Sequence, residues 1–130
     1  MRTYRDWLTA ALTAVTLIGA PIANAFATEQ RLNLVIGHAT TIALEENPST
    51  GYQWQIDFSE SSNVSIVHVT DNGFTQAPAG DHPLVGAPGV HSWTIDATAS
   101  GSATLVFVYR REWEMVPVRR HVVTIETPPS

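Results

Sequence analysis

Apolar residues recur at every second position along most of this chain, and this spacing restricts its fold more than any other feature. A period of two is typical of half-buried β-strands, in which successive side chains point to opposite faces. The clearest example is the run Tyr52, Trp54, Ile56 and Phe58, in which large apolar residues alternate with polar ones. No segment after residue 25 shows the spacing of three to four that an amphipathic helix requires. The pattern therefore predicts an all-β fold.

The alternating segments predict about seven strands. They cover residues 32–36, 42–44, 52–58, 64–70, 90–97, 102–110 and 118–127. Turn-forming residues at 71–73 and 100–101 are expected to separate strands. Residues 105–108 form an uninterrupted apolar run, which predicts a central strand covered on both faces. So many short strands in one small domain are typical of an Ig-like β-sandwich, with a small barrel as the alternative.

Length and composition limit the classes of protein further. The chain has 130 residues, which suits one domain, and it has no cysteine. A disulfide framework, a cysteine-ligated metal site and a catalytic thiol are therefore excluded. The 12 acidic residues outnumber the 7 basic ones, and the net charge is -5. This acidic balance argues against nucleic acid or an anionic membrane as a partner.

The first 25 residues have the three parts of a secretory signal peptide. Arg2 and Arg5 precede an apolar stretch over 7–23, and the small residues Ala23 and Ala25 then form a cleavage site. A membrane anchor is the alternative, but the apolar stretch is shorter than the roughly 20 residues that span a bilayer. We therefore expect residues 1–25 to be cleaved and residues 26–130 to form one exported domain, periplasmic or secreted, with no membrane association after cleavage.

Neither a catalytic centre nor a metal or cofactor site is predicted. The histidines are scattered without the close spacing that is common in metal sites; they are His38, His68, His82, His91 and His121. Glu45 and Glu46 are adjacent on a strand end, so their side chains point to opposite faces and do not form a catalytic pair. We expect both to be solvated. No base, nucleophile and orienting group converge in the sequence, so the chain is not expected to be an enzyme.

The segment 47–54 reads Asn-Pro-Ser-Thr-Gly-Tyr-Gln-Trp and predicts a stiff loop. Pro48 fixes its own φ and favours an extended Asn47, while Gly51 permits a positive φ. On its own, this segment could be no more than a rigid turn between two strands.

Two further segments have unusual compositions. Residues 84–93 contain Gly86, Ala87, Pro88 and Gly89, a stretch with almost no side chains that could approach another surface closely or form an ordinary hairpin tip. Residues 109–114 place two arginines and Trp113 directly after the most apolar strand. Arg and Trp are enriched in binding hot spots, but a stacked Arg-Trp pair that closes the end of the domain is equally consistent.

Taken in order, these three segments resemble the chagasin-like family of cysteine protease inhibitors, whose motifs are an N-P-T-T-G-Y/F loop, a G-x-G-G loop and an R-P-W loop. The segment 47–52 matches the first motif with Ser49 in place of a threonine. The segment 86–89 matches the second with Pro88 in place of a glycine, and 111–113 matches the third with Glu112 in place of the proline.

The resemblance implies an Ig-like sandwich whose three loops plug the active-site cleft of papain-like cysteine proteases. Ser49 and Thr50 would lie nearest the catalytic Cys-His pair, the second loop would pair by its backbone along the cleft, and Arg111 and Trp113 would pack on the opposite rim. The expected protein is a monomer without a cofactor. The implied protease-binding residues are Asn47, Pro48, Ser49, Thr50, Gly51, Tyr52, Gly86, Ala87, Pro88, Gly89, Arg111, Glu112 and Trp113.

An exported adhesion or carbohydrate-binding module is the alternative function, with Trp54, Trp93 and Trp113 as platforms that stack on sugar rings. Trp54 and Trp93 are in phase with the core positions Ile56 and Ile95, which predicts that both are buried. Only Trp113 is then expected to be exposed.

Overall fold

The computed structural model describes residues 26–76 and 88–129. Within them lie seven β-strands and two short 3-10 turns, and no α-helix. The strands are β1 (Phe26–Asn33), β2 (Ala39–Glu46), β3 (Tyr52–Ile56), β4 (Val67–Gln76), β5 (Gly89–Ala97), β6 (Gly101–Arg111) and β7 (Arg119–Thr127). The 3-10 turns cover Pro48–Thr50 and Val64–Ile66. The predicted all-β fold of seven strands is therefore confirmed.

The strands form two sheets. One has four strands in the order β1-β7-β6-β3, and the other has three in the order β2-β5-β4. β1 pairs with β7 in parallel, and the remaining neighbours pair antiparallel. Because Tyr52 at the start of β3 pairs with Arg111 at the end of β6, the connections after β2 and β6 lie at the same end of the molecule.

The core lies between the two sheets. Trp93 of β5 meets Phe107 of β6 edge to face, with ring centroids 4.8 Å apart, so aromatic side chains join the sheets. Leu105 and Phe107 are fully buried, and Val106 and Val108 on the other face of β6 are buried as well. The central strand predicted at 105–108 is confirmed, since β6 lies between β7 and β3.

The prediction for Phe58 is wrong. The alternation predicts that Phe58 continues the buried face, but β3 ends at Ile56 and Phe58 is 60% exposed. The cause is Asp57, whose Oδ1 accepts hydrogen bonds from the amide and the hydroxyl of Ser59 at 3.0 and 2.5 Å. This side-chain turn takes the chain out of the pleat before Phe58 can follow Ile56 into the core.

Residues 71–73 were expected to separate strands, but β4 runs through them from Val67 to Gln76. They form a bulge in the pairing with β5. Gly73 has φ 86, and its amide donates to Asp71 Oδ1 at 2.8 Å. The same turn chemistry thus bends one strand without ending it.

Some predictions concern residues outside the described ranges. The signal peptide predicted at 1–25 lies there, as do Gly86 and Ala87 of the second loop and His82. Within residues 26–76 and 88–129, no helix is long and apolar enough to cross a bilayer.

Candidate functional site

The first loop, which contains the motif at 47–52, is held in one shape by hydrogen bonds within itself. Asn47 is extended, with φ -129, and its side-chain oxygen accepts from the amide and the hydroxyl of Ser49 at 3.2 and 2.6 Å. Thr50 Oγ1 donates to the carbonyl of Asn47 at 2.7 Å. Gly51 has φ 86, and its amide donates to the carbonyl of Pro48 at 2.9 Å. The predicted extended Asn47 and left-handed Gly51 are both confirmed, and the loop is a closed 3-10 turn.

The exposed side chains of this turn also help to keep its shape. Ser49 and Thr50 are exposed, yet both hydroxyls donate back to Asn47. The amide of Tyr52 donates to Thr50 Oγ1 at 3.3 Å, which ties the turn to the start of β3. A turn arranged in this way presents its outer surface without rearrangement.

The base of the first loop contains a buried carboxylate that the sequence prediction placed in solvent. Glu46 is 3% exposed, and its Oε2 accepts from the backbone amide of Trp54 at 2.6 Å. The indole Nε1 of Trp54 donates to the carbonyl of Glu45 at 2.7 Å. Glu45 is exposed as expected. Glu46 points inward because it has the same phase as Ile42 and Leu44, and this period of two was the signal that could have identified it.

His91 of β5 is the second residue that sequence reasoning missed. Its Nδ1 lies 3.1 Å from Glu46 Oε2, and its Nε2 lies 2.6 Å from Asp71 Oδ1. The imidazole stacks flat on Trp93, with ring centroids 4.1 Å apart. The three polar residues therefore connect β2, β5 and β4 just beneath the loops. Among the described residues, no cluster of three or more His, Asp or Glu side chains has the geometry to hold a metal ion.

The third loop packs against the first through Arg111. Its Nε donates to the carbonyl of Thr50 at 3.2 Å, and its guanidinium lies 4.4 Å from the centre of the Tyr52 ring. The same guanidinium lies 5.8 Å from the ring of Trp113. Trp113 is 72% exposed and still approaches Gly51, where an added Cβ would lie 3.3 Å from Trp113 Cη2. The indole of Trp113 therefore contacts Arg111 and is at the same time largely exposed to solvent.

The remainder of the third loop is a tight turn. The amide of Glu114 donates to the carbonyl of Arg111 at 3.0 Å, which closes a four-residue turn with Glu112 and Trp113 at its centre. Arg110 reaches under the turn and donates to the carbonyl of Glu114 at 2.8 Å. Arg111 also lies 3.7 Å from the Glu114 carboxylate. The exposed tip is therefore supported by two arginines.

Of the second loop, the structure describes Pro88 and Gly89. Pro88 is exposed, whereas Gly89 is buried inside β5 and pairs with Glu46 on one side and Gln76 on the other. A Cβ at Gly89 would collide with the carbonyl oxygen of Thr75. The neighbouring strand is so close that only glycine fits at position 89. Gly89 does not lie in an exposed tip.

The described parts of the three loops meet at one end of the molecule. The amide of Asn47 donates to the hydroxyl of Tyr109 at 3.2 Å, which links the first loop to β6. A cavity of about 150 Å³ is lined by Glu45, Glu46, Asn47, Pro88, Tyr109 and Arg119. These contacts bring together segments that are far apart in the sequence.

Comparisons with known proteins identify the family. The profile described as Chagasin family peptidase inhibitor I42 matches residues 33–126. Amoebiasin-1 of Entamoeba histolytica is 33% identical over 82 residues, which are 63% of this chain and 74% of the relative. Chagasin of Trypanosoma cruzi is 30% identical over 84 residues, which are 63% of this chain and 73% of the relative.

Solved structures show the same fold. The crystal structure of the cysteine protease inhibitor EhICP2 from Entamoeba histolytica matches with a TM-score of 0.61 at 21% identity, over 80% of this chain and 96% of that one. PbICP-C, solved in complex with falcipain-2, matches with a TM-score of 0.60 at 18% identity, over 84% of this chain and 95% of that one.

Proposed function

Because this chain belongs to the chagasin family of peptidase inhibitors, we propose that it inhibits papain-like cysteine proteases by closing their active-site cleft with its three loops. The relative EhICP2 is a cysteine protease inhibitor, and PbICP-C is bound to falcipain-2 in its structure. The partner of this chain is then a protease of that class, and the chain itself acts as a binding protein.

The observation that carries the proposal is the closed, exposed turn at Pro48–Thr50, with Arg111 bound to its side. A loop that already has its bound shape loses little conformational entropy when it docks. Such a turn projecting from the end of a sandwich suits insertion into a cleft.

The same turn has features of an inhibitor that resists cleavage. The carbonyls of Asn47, Pro48 and Thr50 accept hydrogen bonds from Thr50, Gly51 and Arg111 respectively. Carbonyls held in this way are not free to rotate into line with a protease thiolate. Ser49 and Thr50 would lie nearest the catalytic Cys-His pair, where their small side chains fill the cleft and no scissile bond is presented.

The other two loops would hold the protease on either side of the first. We assign residues 86–88 of the second loop to backbone pairing along the cleft, since Gly89 is buried between β2 and β4. Arg111, Glu112 and Trp113 are assigned to the opposite rim. Tryptophan and arginine are enriched among the hot-spot residues that contribute most of the binding energy in protein interfaces. Trp54 and Trp93 are 6% and 2% exposed, so they are not available as sugar-stacking platforms.

We also propose two finer features. The neighbours β3-β6-β7 and β2-β5-β4 follow the order of strands C-F-G and B-E-D in an Ig-like sandwich, and β1 joins the first group beside β7.

The signal-like segment 1–25 supports export with cleavage before Phe26, and the intact mass of the exported protein tests this.

Steady-state inhibition of papain by the purified protein tests the function, with chymotrypsin as the control protease. We expect reversible inhibition of papain, competitive with substrate, and none of chymotrypsin. Trp113→Ala should weaken inhibition with little change in melting temperature, because the indole is exposed. Trp54→Ala should instead cost about 3 to 5 kcal/mol of folding stability, because a buried indole is removed. Wild-type protein that leaves papain and related proteases fully active at micromolar concentration contradicts the proposal.

A further inference from the structure

A buried carboxylate connects the two ends of the first loop. Glu46 is the last residue of β2 and directly precedes the loop. Its carboxylate binds the backbone amide of Trp54, which lies in β3 just after the loop. In a second hydrogen bond, the indole of Trp54 donates to the backbone carbonyl of Glu45. The width of the loop at its base is thus set by two hydrogen bonds of 2.6 and 2.7 Å.

His91 extends this connection toward the second loop. It lies in β5 shortly after Gly89, where the second loop ends, and its Nδ1 is 3.2 Å from Glu46 Oε1 and 3.1 Å from Oε2. Its Nε2 contacts Asp71 Oδ1, which also accepts from the amide of Gly73 in the bulge of β4. A chain of polar contacts therefore runs from the bulge through His91 to the base of the first loop.

Stability alone gives no reason for this arrangement. Burying a carboxylate is costly, and apolar residues of similar volume often serve as well as a buried charge pair or better. Hydrogen bonds differ from apolar contacts in that they fix direction and distance. The aromatic neighbours Trp93 and Trp54 would pack against an apolar residue at position 46 but would not fix the loop in one orientation.

We infer that Glu46 and His91 are positioning residues, which hold the first loop in one orientation relative to β5 and thereby set the affinity for the protease. This inference rests on the proposed function. Neither residue needs to touch the protease, since both lie beneath the loops. The conformation of the first loop is the quantity that they control.

Three variants separate positioning from general stability. Glu46→Ala removes both contacts, whereas Glu46→Gln keeps an oxygen for the Trp54 amide and places an amide group beside His91 Nδ1. His91→Phe keeps a flat ring against Trp93 and removes both polar contacts. The matched control is His121→Gln, since His121 also has two side-chain partners, Thr28 and Gln30, but lies in the seam between β1 and β7.

Each variant is measured for its inhibition constant against papain, its melting temperature and hydrogen exchange of the amides at 49–52. For Glu46→Ala we expect inhibition at least about tenfold weaker, as for the loss of a hydrogen bond to a charged group, together with faster exchange in the first loop. Glu46→Gln should restore most of both quantities. His121→Gln should lower the melting temperature without changing the inhibition constant or the exchange at 49–52.

The inference is overturned if Glu46→Ala and His91→Phe inhibit papain like the wild type, or if His121→Gln weakens inhibition in proportion to its loss of stability. If Glu46→Ala does not fold, His91→Phe and Glu46→Gln decide by the same measures. A wild type that inhibits no papain-like protease refutes the proposed function instead. Hydrogen exchange then still tests the positioning role, and unchanged exchange in all variants refutes that role too.

Discussion

Gly51 is the residue on which the shape of the first loop depends most directly. Its φ of 86 lies in the left-handed region, and an added Cβ would press against Trp113 Cη2 at 3.3 Å. A residue other than glycine pays about 1 to 2 kcal/mol for this backbone conformation. At this position the change also separates the first and third loops, which meet there.

We predict that Gly51→Ala lowers both stability and inhibition. Gly37→Ala is the matched control, because Gly37 has φ 87, no neighbour within 4 Å of an added Cβ and a place between β1 and β2, away from the three loops. Both variants should lose melting temperature through backbone strain, Gly51→Ala somewhat more, while only Gly51→Ala loses affinity for papain. Equal inhibition by both variants would show that the first loop does not contact the protease.

At the scale of single residues, the sequence predicts backbone requirements better than it predicts partners. The conformations of Asn47 and Gly51 follow from local chemistry, because Pro48 and the missing Cβ restrict φ wherever the loop lies. The burial of Glu46 depends on His91, which is far from it in sequence and is placed beside it only by strand pairing. We expected Glu46 in solvent, although its phase could have indicated an inward side chain, and no local signal named its partner.

Among the elements, the turn of the third loop gives a prediction about Glu112. The hydrogen bond from the amide of Glu114 to the carbonyl of Arg111 makes Glu112 the second residue of a four-residue turn, a position that proline favours. Proline at a compatible site stabilises by about 0.4 to 1 kcal/mol because it restricts the flexible state.

Glu112→Pro should therefore tighten inhibition about two- to fivefold. Inhibition constants at low and high salt, against one acidic and one basic papain-like protease, separate this effect from the lost charge, since the contribution of charge fades with salt. Weaker inhibition of both proteases at both salt concentrations would mean that Glu112 does not occupy the position of the family's proline.

The seam between β1 and β7 gives a prediction about pH. Burial lowers the pKa of His121 below its ordinary value of 6.5, and its ring nitrogens contact the Thr28 hydroxyl at 2.6 Å and Gln30 Oε1 at 2.9 Å. A neutral imidazole fits this pair, accepting at one nitrogen and donating at the other. The unfolded state binds a proton more readily than the folded state does, so His121 favours folding above its unfolded pKa and loses this contribution as pH falls through the folded pKa.

We predict that the free energy of unfolding decreases below about pH 6.5, the ordinary pKa of histidine, and that His121→Gln flattens this decrease. Denaturant unfolding over a series of pH values measures the effect. His68→Gln, which changes an exposed histidine of β4, is the control and should leave the slope unchanged. A slope that His121→Gln does not alter would contradict the assignment of this histidine.

The elements also show where period-two reasoning succeeds and where it fails. It identifies β5 and β7, whose burial follows the pleat. It fails at Phe58, and the turn residues at 71–73 do not separate strands as expected. At both places an aspartate side chain, of Asp57 or Asp71, binds a nearby backbone amide. In one case this chemistry ends β3 at Ile56, and in the other it makes a bulge in β4, which pairs with β5 on both sides of the bulge.

At the scale of the whole molecule, two sheets with a shared aromatic core bring the first and third loops to one end. The sequence predicts the strands and the loop motifs, but the contact of Arg111 with Thr50 and Tyr52 follows from the pairing of β3 with β6. We expect this end of the molecule to enter the active-site cleft of a papain-like protease.

Calorimetry of the purified protein with papain tests whether this end enters the cleft. Binding is measured with the cleft open and again with the cleft filled by a covalent peptide inhibitor. We predict tight binding to the open enzyme and loss of binding when the cleft is filled. Binding of equal strength to both forms of papain would show that the protein attaches elsewhere and would contradict insertion into the cleft.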